Sequence, residues 1–249
     1  METNSHREEV LHTDQIVAES PKTLCVDIGG SGIKVMVLDA AGTPVTERAR
    51  RETPQPAQPQ SCVEVICDLA KEQGEYDRVS VGFPGVVDEG ITHTAPNLHP
   101  DWEGFELAKR LEELLGKPVR VANDADVQGF GVITSHGVEL VLTLGTGLGS
   151  ALFVNGHLVP NLELGHHPFR KGETYEEQVG RAALDAVGKK KWNRRIKIMI
   201  ELLQKILNYR TLYIGGGNAK KVDREGLPEN VKIVSNEAGL TGGIALWRD

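Results

Sequence analysis

Two aspartates follow predicted strands, at points where an active-site carboxylate could lie. Asp27 closes the apolar run TLCVDI, and Asp124 follows the short run PVRVA within the sequence NDAD. A carboxylate at the end of a strand can project into a cleft, hydrogen-bond a substrate hydroxyl and accept its proton. The alternative is that Asn123 and Asp124 only cap the helix predicted to follow, a role that suits Asp126 better.

Three glycine-rich turns could bind phosphate through the backbone. GGSG, GTGLG and GGGN each follow an apolar run, and glycine lets N–H groups approach an anion because it has no Cβ. The turns could equally be plain hairpins. A Rossmann motif is disfavoured, since a strand follows the first two turns where that motif has a helix, and no P-loop is present. The turn residues that we expect to bind phosphate or nucleotide are Gly29, Gly30, Ser31, Gly32, Gly145, Thr146, Gly147, Gly149, Gly215, Gly216 and Gly217.

The stretch ELGHHPF, residues 163–169, could bind a metal, hold a small polar ligand or form an ordinary turn. A zinc site of three cysteines and one histidine is excluded here, because no cysteine follows Cys67. Adjacent histidines rarely point the same way, and further metal ligands are not evident. These observations disfavour a metal site and leave a small polar ligand or an ordinary turn, with His167 turned toward solvent or packing.

The first two glycine turns belong to a repeated plan. DIGGSGIKVMVLDAAG and TLGTGLGSALFVNG each contain a strand, a glycine turn with a small hydroxyl residue, an apolar strand and a second turn. They lie about 116 residues apart. This repetition predicts two related lobes that face one another, each with a glycine turn at a shared cleft.

Alternating or continuous apolar runs and helical spacing predict an α/β protein. The predicted strands are 23–28, 33–38, 78–83, 118–122, 140–144, 150–154, 211–214 and 231–234, and the predicted helices are 61–73, 105–115, 175–188, 190–207 and 240–247.

The composition is typical of a globular protein with a hydrophobic core. The chain has 249 residues and a net charge of −7, which disfavours a general nucleic-acid or anionic-membrane partner. Three scattered cysteines suggest reduced thiols and a cytoplasmic location. No apolar run reaches the ~18–20 residues needed to span a bilayer. Residues 1–21 are polar and predict a flexible N-terminal tail.

Seven motifs, DIGGSGIK, GFPG, APNL, NDAD, LGTGLGSAL, ELGHH and IGGGN, occur in the order found in the ROK sugar kinases. The resemblance runs from about Thr23 to Trp247, and VGRAALDAVGKKKWN with GGGNAKK is most similar to the polyphosphate glucokinase branch. It implies the two-lobed α/β fold shared by hexokinase, actin and the heat-shock ATPases, with duplicated ribonuclease H-like lobes. We expect one lobe of residues 22–122 plus 236–249 and a second of 123–235.

The resemblance also implies roles for individual residues. Asp124 matches the catalytic base, and Asp27 matches an aspartate near the transferred phosphate and Mg²⁺, which it meets mostly through water. Gly85 lets the backbone approach the sugar. The residues that match sugar contacts are Asn97, Asn123, Glu163, His166 and Glu176; the last placement is less secure, because Glu173 and Glu177 lie close by.

The resemblance leaves the phosphoryl donor open between ATP and polyphosphate. An ATP site would use GGGN, whereas a polyphosphate site needs an extended basic surface. The run KKKWNRRIK, residues 189–197, places Lys190, Arg194 and Lys197 on one helix face, with Lys220 and Lys221 adding weakly. The alternative is a solvated helix face. Lys34 could likewise contact phosphate or be a solvated residue of the sheet.

The function expected from these observations is phosphoryl transfer to the 6-hydroxyl of glucose from polyphosphate or ATP. One alternative is an ATP-dependent kinase for fructose, mannose or an N-acetylated amino sugar. Another is a sugar sensor without catalysis, against which the retained Asp124 counts. The resemblance also implies a homodimer.

Overall fold

The computed structural model describes residues 20–96, 98–235 and 238–248. Asn97 and almost all of the predicted N-terminal tail lie outside them. The strands are β1 (Thr23–Gly29), β2 (Gly32–Leu38), β3 (Ala49–Arg51), β4 (Arg78–Phe83), β5 (Val87–Asp88), β6 (Ile91–Thr92), β7 (Val119–Asn123), β8 (Val138–Leu144), β9 (Leu148–Val154), β10 (His157–Val159), β11 (Pro168–Arg170), β12 (Glu173–Thr174), β13 (Thr211–Gly215) and β14 (Val231–Ile233). The helices are α1 (Pro59–Glu72), α2 (Leu107–Leu115), α3 (Asp124–Phe130), α4 (Tyr175–Val179), α5 (Arg181–Leu207) and α6 (Ala238–Thr241), with 3₁₀ helices at Pro100–Trp102, Leu164–His166, Ala219–Lys221 and Gly242–Trp247.

The described residues form two five-stranded sheets of the same design. The first has the order β3-β2-β1-β4-β7 and the second the order β10-β9-β8-β13-β14. In each sheet the three strands joined by hairpins are antiparallel, and the two that return after helical connections are parallel. The repeated plan seen in the sequence is thus a repeated sheet.

Each sheet has its own hydrophobic core. Buried residues of α1 and α2 pack on the first sheet together with Trp102, and those of α4 and α5 pack on the second together with Trp192. The continuous apolar runs of β1 and β2 suit strands covered by other elements. No helix within the described ranges is both long and apolar enough to cross a bilayer.

Two short helical segments cross between the sheets. The helix α3 starts where β7 of the first sheet ends, yet it contacts β8 and β9 of the second sheet. In return, α6 and the 3₁₀ helix after it contact β1 and β4 of the first sheet. The two crossing segments also pack on each other, where Gly242 lies so close to the Val127 carbonyl that a Cβ would clash.

Two helix predictions differ from the structure. The predicted helix 175–188 is interrupted at Gly180, where the chain passes too close to the Thr146 carbonyl for any side chain. Gly188 then introduces a kink within α5, with φ +75°. The predicted helix 240–247 is one turn of α-helix followed by a 3₁₀ helix. Gly242 and Gly243 allow the close packing there.

Candidate active site

A cleft of about 320 Å³ lies between the two sheets. Its wall on the first-sheet side comes from the first glycine turn, the end of β4 and the start of α3. Its wall on the second-sheet side comes from the second and third glycine turns and the loop before α4. The predicted residues that line it are Asp27, Gly29, Gly30, Ser31, Lys34, Gly85, Asn123, Asp124, Gly145, Thr146, Gly147, Gly149, Glu163, His166, Glu176, Gly216 and Gly217.

Gly32 and Gly215 lie outside the lining. A Cβ on Gly32 would meet the Arg50 guanidinium at 2.6 Å, and a Cβ on Gly215 would meet the side-chain nitrogen of Gln128 at 2.7 Å. Gly32 therefore gives room to the Arg50 side chain, and Gly215 gives room to the Gln128 side chain, which itself lines the cleft.

A charged row crosses the first sheet at the cleft. Asp27 pairs in register with Lys34, and Lys34 pairs with Arg50, so the three side chains share one face of the sheet. Lys34 Nζ lies 2.6 Å from an Asp27 carboxylate oxygen. On the other side Asp27 pairs with Gly82, whose missing side chain leaves room for the backbone of Asp124. The register thus places Asp27 and Asp124 together.

Asp124 occupies the first position of α3, and Asn123 caps that helix. The Asn123 side-chain oxygen accepts hydrogen bonds from the backbone N–H groups of Ala125 and Asp126, and its Nδ2 donates to the Gly85 carbonyl at 3.0 Å. Asn123 therefore caps the helix and also lines the cleft. One of its two amide hydrogens remains for a ligand.

The surroundings of Asp124 disfavour its ionised form. Burial raises the pKa of Asp124 to about 7, and the nearby carboxylate of Asp27 adds to the effect. Burial also raises the pKa of Glu163, which His166 partly counteracts. A carboxyl group whose pKa lies near neutrality is suited to accept a proton from a substrate and to release it afterwards.

The loop residues predicted to hold a sugar lie together. His166 Nε2 is 3.5 Å from a Glu163 carboxylate oxygen. Glu176 accepts a hydrogen bond from the Leu148 N–H at 3.1 Å, and Gly147 lies so near that a Cβ would come within 1.9 Å of the same carboxylate. His167 does not line the cleft, and its Nδ1 lies 2.8 Å from the Pro168 carbonyl oxygen.

The structure distinguishes Glu176 from its two neighbours. Glu177 completes a capping box with Thr174 at the start of α4, and Glu173 hydrogen-bonds the side chain of Gln178. Only Glu176 of the three lines the cleft within the described chain.

The second glycine turn is open toward the cleft. A Cβ on Gly145 or on Gly217 would have no neighbour within 4 Å, so both backbones face free space. The Asn218 side chain donates to the Gly145 carbonyl at 2.8 Å and joins the second turn to the third. The Gly145 N–H donates to the Gly147 carbonyl at 3.1 Å, so an anion at these turns would meet their other backbone N–H groups.

Two polar cleft residues have no counterpart in the sequence predictions. Gln128 lies one helical turn after Asp124 on α3, and this i, i+4 spacing could have indicated it. Thr143 comes just before the second turn, with its hydroxyl over Gly149. The sequence gives no signal for Thr143 beyond its position in a strand.

Hydrogen bonds to neighbouring elements order the loop 160–167, for which the sequence offers no metal site. Ser150 Oγ donates to the Leu162 carbonyl and accepts from the Leu164 N–H. Asn161 exchanges two hydrogen bonds with Val87. Just beyond the loop, the Phe169 ring stacks on a buried tyrosine of α4, with ring centroids 4.4 Å apart.

The basic run of α5 is largely exposed. Lys190 and Arg194 are solvent-accessible, and neither forms a salt bridge with any residue in the described ranges. Lys197 is half-buried and donates to the Glu225 carbonyl at 2.8 Å. Asn193, between them, donates to the Lys221 carbonyl, which brings the 3₁₀ helix Ala219–Lys221 beside the run.

Comparisons with known proteins agree with this architecture. The ROK family profile matches residues 23–177. The polyphosphate glucokinase of Mycobacterium tuberculosis (strain ATCC 25177 / H37Ra) is 34% identical, over 87% of this chain and 88% of its own length. The crystal structure of inorganic polyphosphate/ATP-glucomannokinase from Arthrobacter sp. strain KM superposes with a TM-score of 0.83 and 32% identity, covering 91% of this chain and 98% of that one.

A more distant structure supports the fold alone. The ROK family glucokinase from Streptomyces griseus, solved with glucose and AMPPNP, superposes with a TM-score of 0.75 at 20% identity, covering 90% of this chain and 98% of that one. The predicted two-lobed α/β fold is confirmed, and the chain belongs to the ROK family.

Proposed function

We propose that the protein is a sugar kinase that transfers a phosphoryl group from polyphosphate or ATP to the 6-hydroxyl of glucose. The observation that carries the proposal is the position of Asp124, a carboxyl group with a raised pKa between open glycine turns and a carboxylate–histidine loop. Relatives that are 32–34% identical bear the names polyphosphate glucokinase and polyphosphate/ATP-glucomannokinase.

In this mechanism Asp124 accepts the proton of the sugar 6-hydroxyl as its oxygen attacks the terminal phosphorus of the donor. The bond between that phosphorus and the bridging oxygen breaks, and the donor leaves as ADP or as polyphosphate one unit shorter. Glu163, His166 and Glu176 hold the other hydroxyls, and backbone N–H groups of the second and third glycine turns other than that of Gly145 bind phosphate oxygens.

The residues at the cleft fit a magnesium ion that is carried mainly by water and phosphate. Asp27 places a carboxylate at the cleft with a fifth of its side-chain surface exposed, and oxygen ligands in small number are typical for Mg²⁺. When bound, such an ion neutralises charge on the transferred phosphate. Lys34, beside Asp27, adds a fixed positive charge at the same point.

We infer that a polyphosphate donor would extend along the basic surface formed by Lys190, Arg194, Lys220 and Lys221. The Asn218–Gly145 hydrogen bond joins the second turn to the residue just before the 3₁₀ helix that carries Lys220 and Lys221. Lys197 is half-buried and donates a hydrogen bond to the Glu225 carbonyl, so it contributes less to polyphosphate binding than its helical spacing predicted.

A second cavity supports an alternative in which the acceptor is a larger hexose. This cavity, of about 430 Å³, shares Pro96, Glu163 and His166 with the cleft. It would give room to a substituent such as the acetamido group of an N-acetylated amino sugar.

We also infer that the lobe boundary falls at Asn123 and again near residue 236, as the crossing of α3 and α6 suggests. Family membership supports a homodimer, and the composition supports a cytoplasmic protein.

A coupled assay tests the proposed function. Glucose, fructose, mannose and N-acetylated amino sugars are each offered with ATP and with polyphosphate, and the sugar phosphate is measured. We expect glucose to be phosphorylated with at least one donor. The proposal fails if no hexose is phosphorylated with either donor.

A further inference from the structure

The loop of residues 160–167, here called the sugar loop, is joined to the first lobe by the side chain of Asn161. Its Oδ1 accepts a hydrogen bond from the Val87 N–H at 3.3 Å, and its Nδ2 donates to the Val87 carbonyl at 3.1 Å. One amide side chain thus pairs with both backbone groups of one residue, as a neighbouring strand would. Val87 begins β5, whose other edge pairs with β6.

The position of this contact relates it to the sugar site. Val87 comes two residues after Gly85, which lines the cleft from the first lobe. Asn161 comes two residues before Glu163, which lines the cleft from the second lobe. The two hydrogen bonds therefore hold the two walls of the sugar site together just behind the residues that form them.

The backbone of Asn161 is also fixed. Its φ is +59°, in the left-handed region that asparagine and glycine tolerate best. Its N–H lies near the carboxyl group of Asp126, a buried residue two positions after Asp124, and lowers the pKa of that group against the larger effect of burial. The same residue thus contacts the helix that carries the proposed base and the strand that follows Gly85.

We infer that Asn161 is a positioning residue for the sugar site, one that sets the spacing between Gly85 and Glu163 across the cleft. The inference rests on the proposed function. Because the contact lies behind the sugar and away from the glycine turns, its loss should weaken binding of the hexose and leave binding of the phosphoryl donor unchanged.

The test compares Asn161→Gly with Asn155→Gly. Glycine accepts the left-handed backbone at both positions, since Asn155 has a φ of +52°, and each change removes an amide that hydrogen-bonds a distant backbone group. Asn155 lies in the β9–β10 hairpin, away from the cleft. We expect Asn161→Gly to raise the hexose KM about tenfold, as the loss of two hydrogen bonds suggests. The donor KM and the values for Asn155→Gly should stay near those of the wild type.

A second variant and a second readout separate positioning from simple stability. Asn161→Asp keeps the acceptor for the Val87 N–H but sets an oxygen against the Val87 carbonyl, so it should raise the hexose KM at least as much. Hydrogen exchange at the Val87 amide should accelerate in Asn161→Gly.

The inference is wrong if the Val87 amide exchanges faster while the hexose KM is unchanged, or if the hexose and donor KM values rise together. A wild-type protein that phosphorylates no hexose would instead overturn the proposed function, and this inference with it.

Discussion

The two sheets have the same strand order and direction, but they offer different chemistry to the cleft. The first sheet brings a row of charged side chains, Asp27, Lys34 and Arg50, and leads into Asp124. The second sheet brings glycine backbone at its turns, with Gly145 and Gly217 open to the cleft. Under the proposed function, the first sheet supplies the proton acceptor and a carboxylate for Mg²⁺, and the second sheet supplies open glycine backbone for phosphate.

The two hairpins at the cleft differ in turn length and in residue type. The β1–β2 hairpin has Gly29 and Gly32 as its last pair, with two residues between them, whereas the β8–β9 hairpin has Leu144 and Leu148, with three. Two residues before the last pair, Asp27 faces Lys34 in the first hairpin, whereas Leu142 faces Ser150 in the second. The charged pair of the first sheet therefore has no charged counterpart in the second.

The largest expected effect is a loss of kcat on substitution of Asp124, which follows the first sheet. Asp124→Asn keeps the shape of the side chain but removes its ability to accept a proton, so kcat should fall by about 10³-fold. The hexose KM should change little, because the amide can still hydrogen-bond the hydroxyl. Steady-state kinetics measure both, and circular dichroism verifies folding. Activity within tenfold of the wild type would mean that Asp124 is not the base.

The next largest effect is expected from a comparison of substitutions at two glycines, Gly147 and Gly145, in the turn between β8 and β9. In Gly147→Ala the new Cβ displaces the Glu176 carboxylate from the Leu148 N–H, which should raise the hexose KM about tenfold. In Gly145→Ala the Cβ enters free space, and the hexose KM should stay within about twofold. Equal hexose KM values in the two variants would show that Glu176 does not bind the sugar.

A smaller effect tests whether the basic surface of α5 takes part in binding polyphosphate. The double change Lys190→Glu and Arg194→Glu reverses two exposed charges and should raise the polyphosphate KM about fivefold at low salt, leaving the ATP KM unchanged. Lys205→Glu, at an exposed site on the last turn of the same helix, is the control. A comparable rise in the ATP KM would mean that both donors use this surface.

The smallest effects concern pH. With the pKa of Asp124 at about 7, kcat/KM should rise with pH and level off above that value. Asp126 contributes to the raised pKa of Asp124, so Asp126→Asn should move this rise slightly toward lower pH. The pH profiles of the two proteins measure the shift. A profile that moves toward higher pH would contradict the assignment.

The stability of the protein should also depend on the protonation of Asp126. Burial raises the pKa of Asp126 to about 7 from the ordinary 3.8, and one of its oxygens has no hydrogen-bond partner. Between these two pH values the unfolded chain loses the proton while the folded protein keeps it, so wild-type stability falls as pH rises. Asp126→Asn avoids this loss, and its Tm relative to the wild type should increase by a few degrees from pH 4 to pH 8. A Tm difference independent of pH would show that Asp126 is not protonated in the fold.

Much of the scaffold could be predicted from local sequence, because the apolar runs are nearly continuous. The strand predicted at 78–83 has the observed bounds, and the others differ by a few residues at their ends. Asp27 and Asp124 were each predicted at the end of a strand, and both line the cleft. Local patterns sufficed wherever the residues that matter are neighbours along the chain or occupy equivalent ends of strands.

The contacts that complete the site could not be predicted in this way. Asn161 and Val87 are 74 positions apart, and nothing in the local sequences VPNLE (residues 159–163) or GVVDE (residues 85–89) indicates that they pair. Arg50 depends on the register of β3 against β2, which a three-residue strand does not specify in sequence. The interruption at Gly180 arises from its approach to Thr146, a tertiary contact. The predicted role of Asn97 stays a prediction, since that residue lies outside the described ranges.

The crossing of α3 and α6 has a mechanical consequence. Asp124 stands where the chain leaves one sheet for the other, so a rotation of the two sheets about these crossing segments would have its axis near Asp124. Points on an axis travel least. During closure the base would remain almost still while the glycine turns and the sugar loop swing toward it, so the moving parts deliver both substrates to a stationary acceptor.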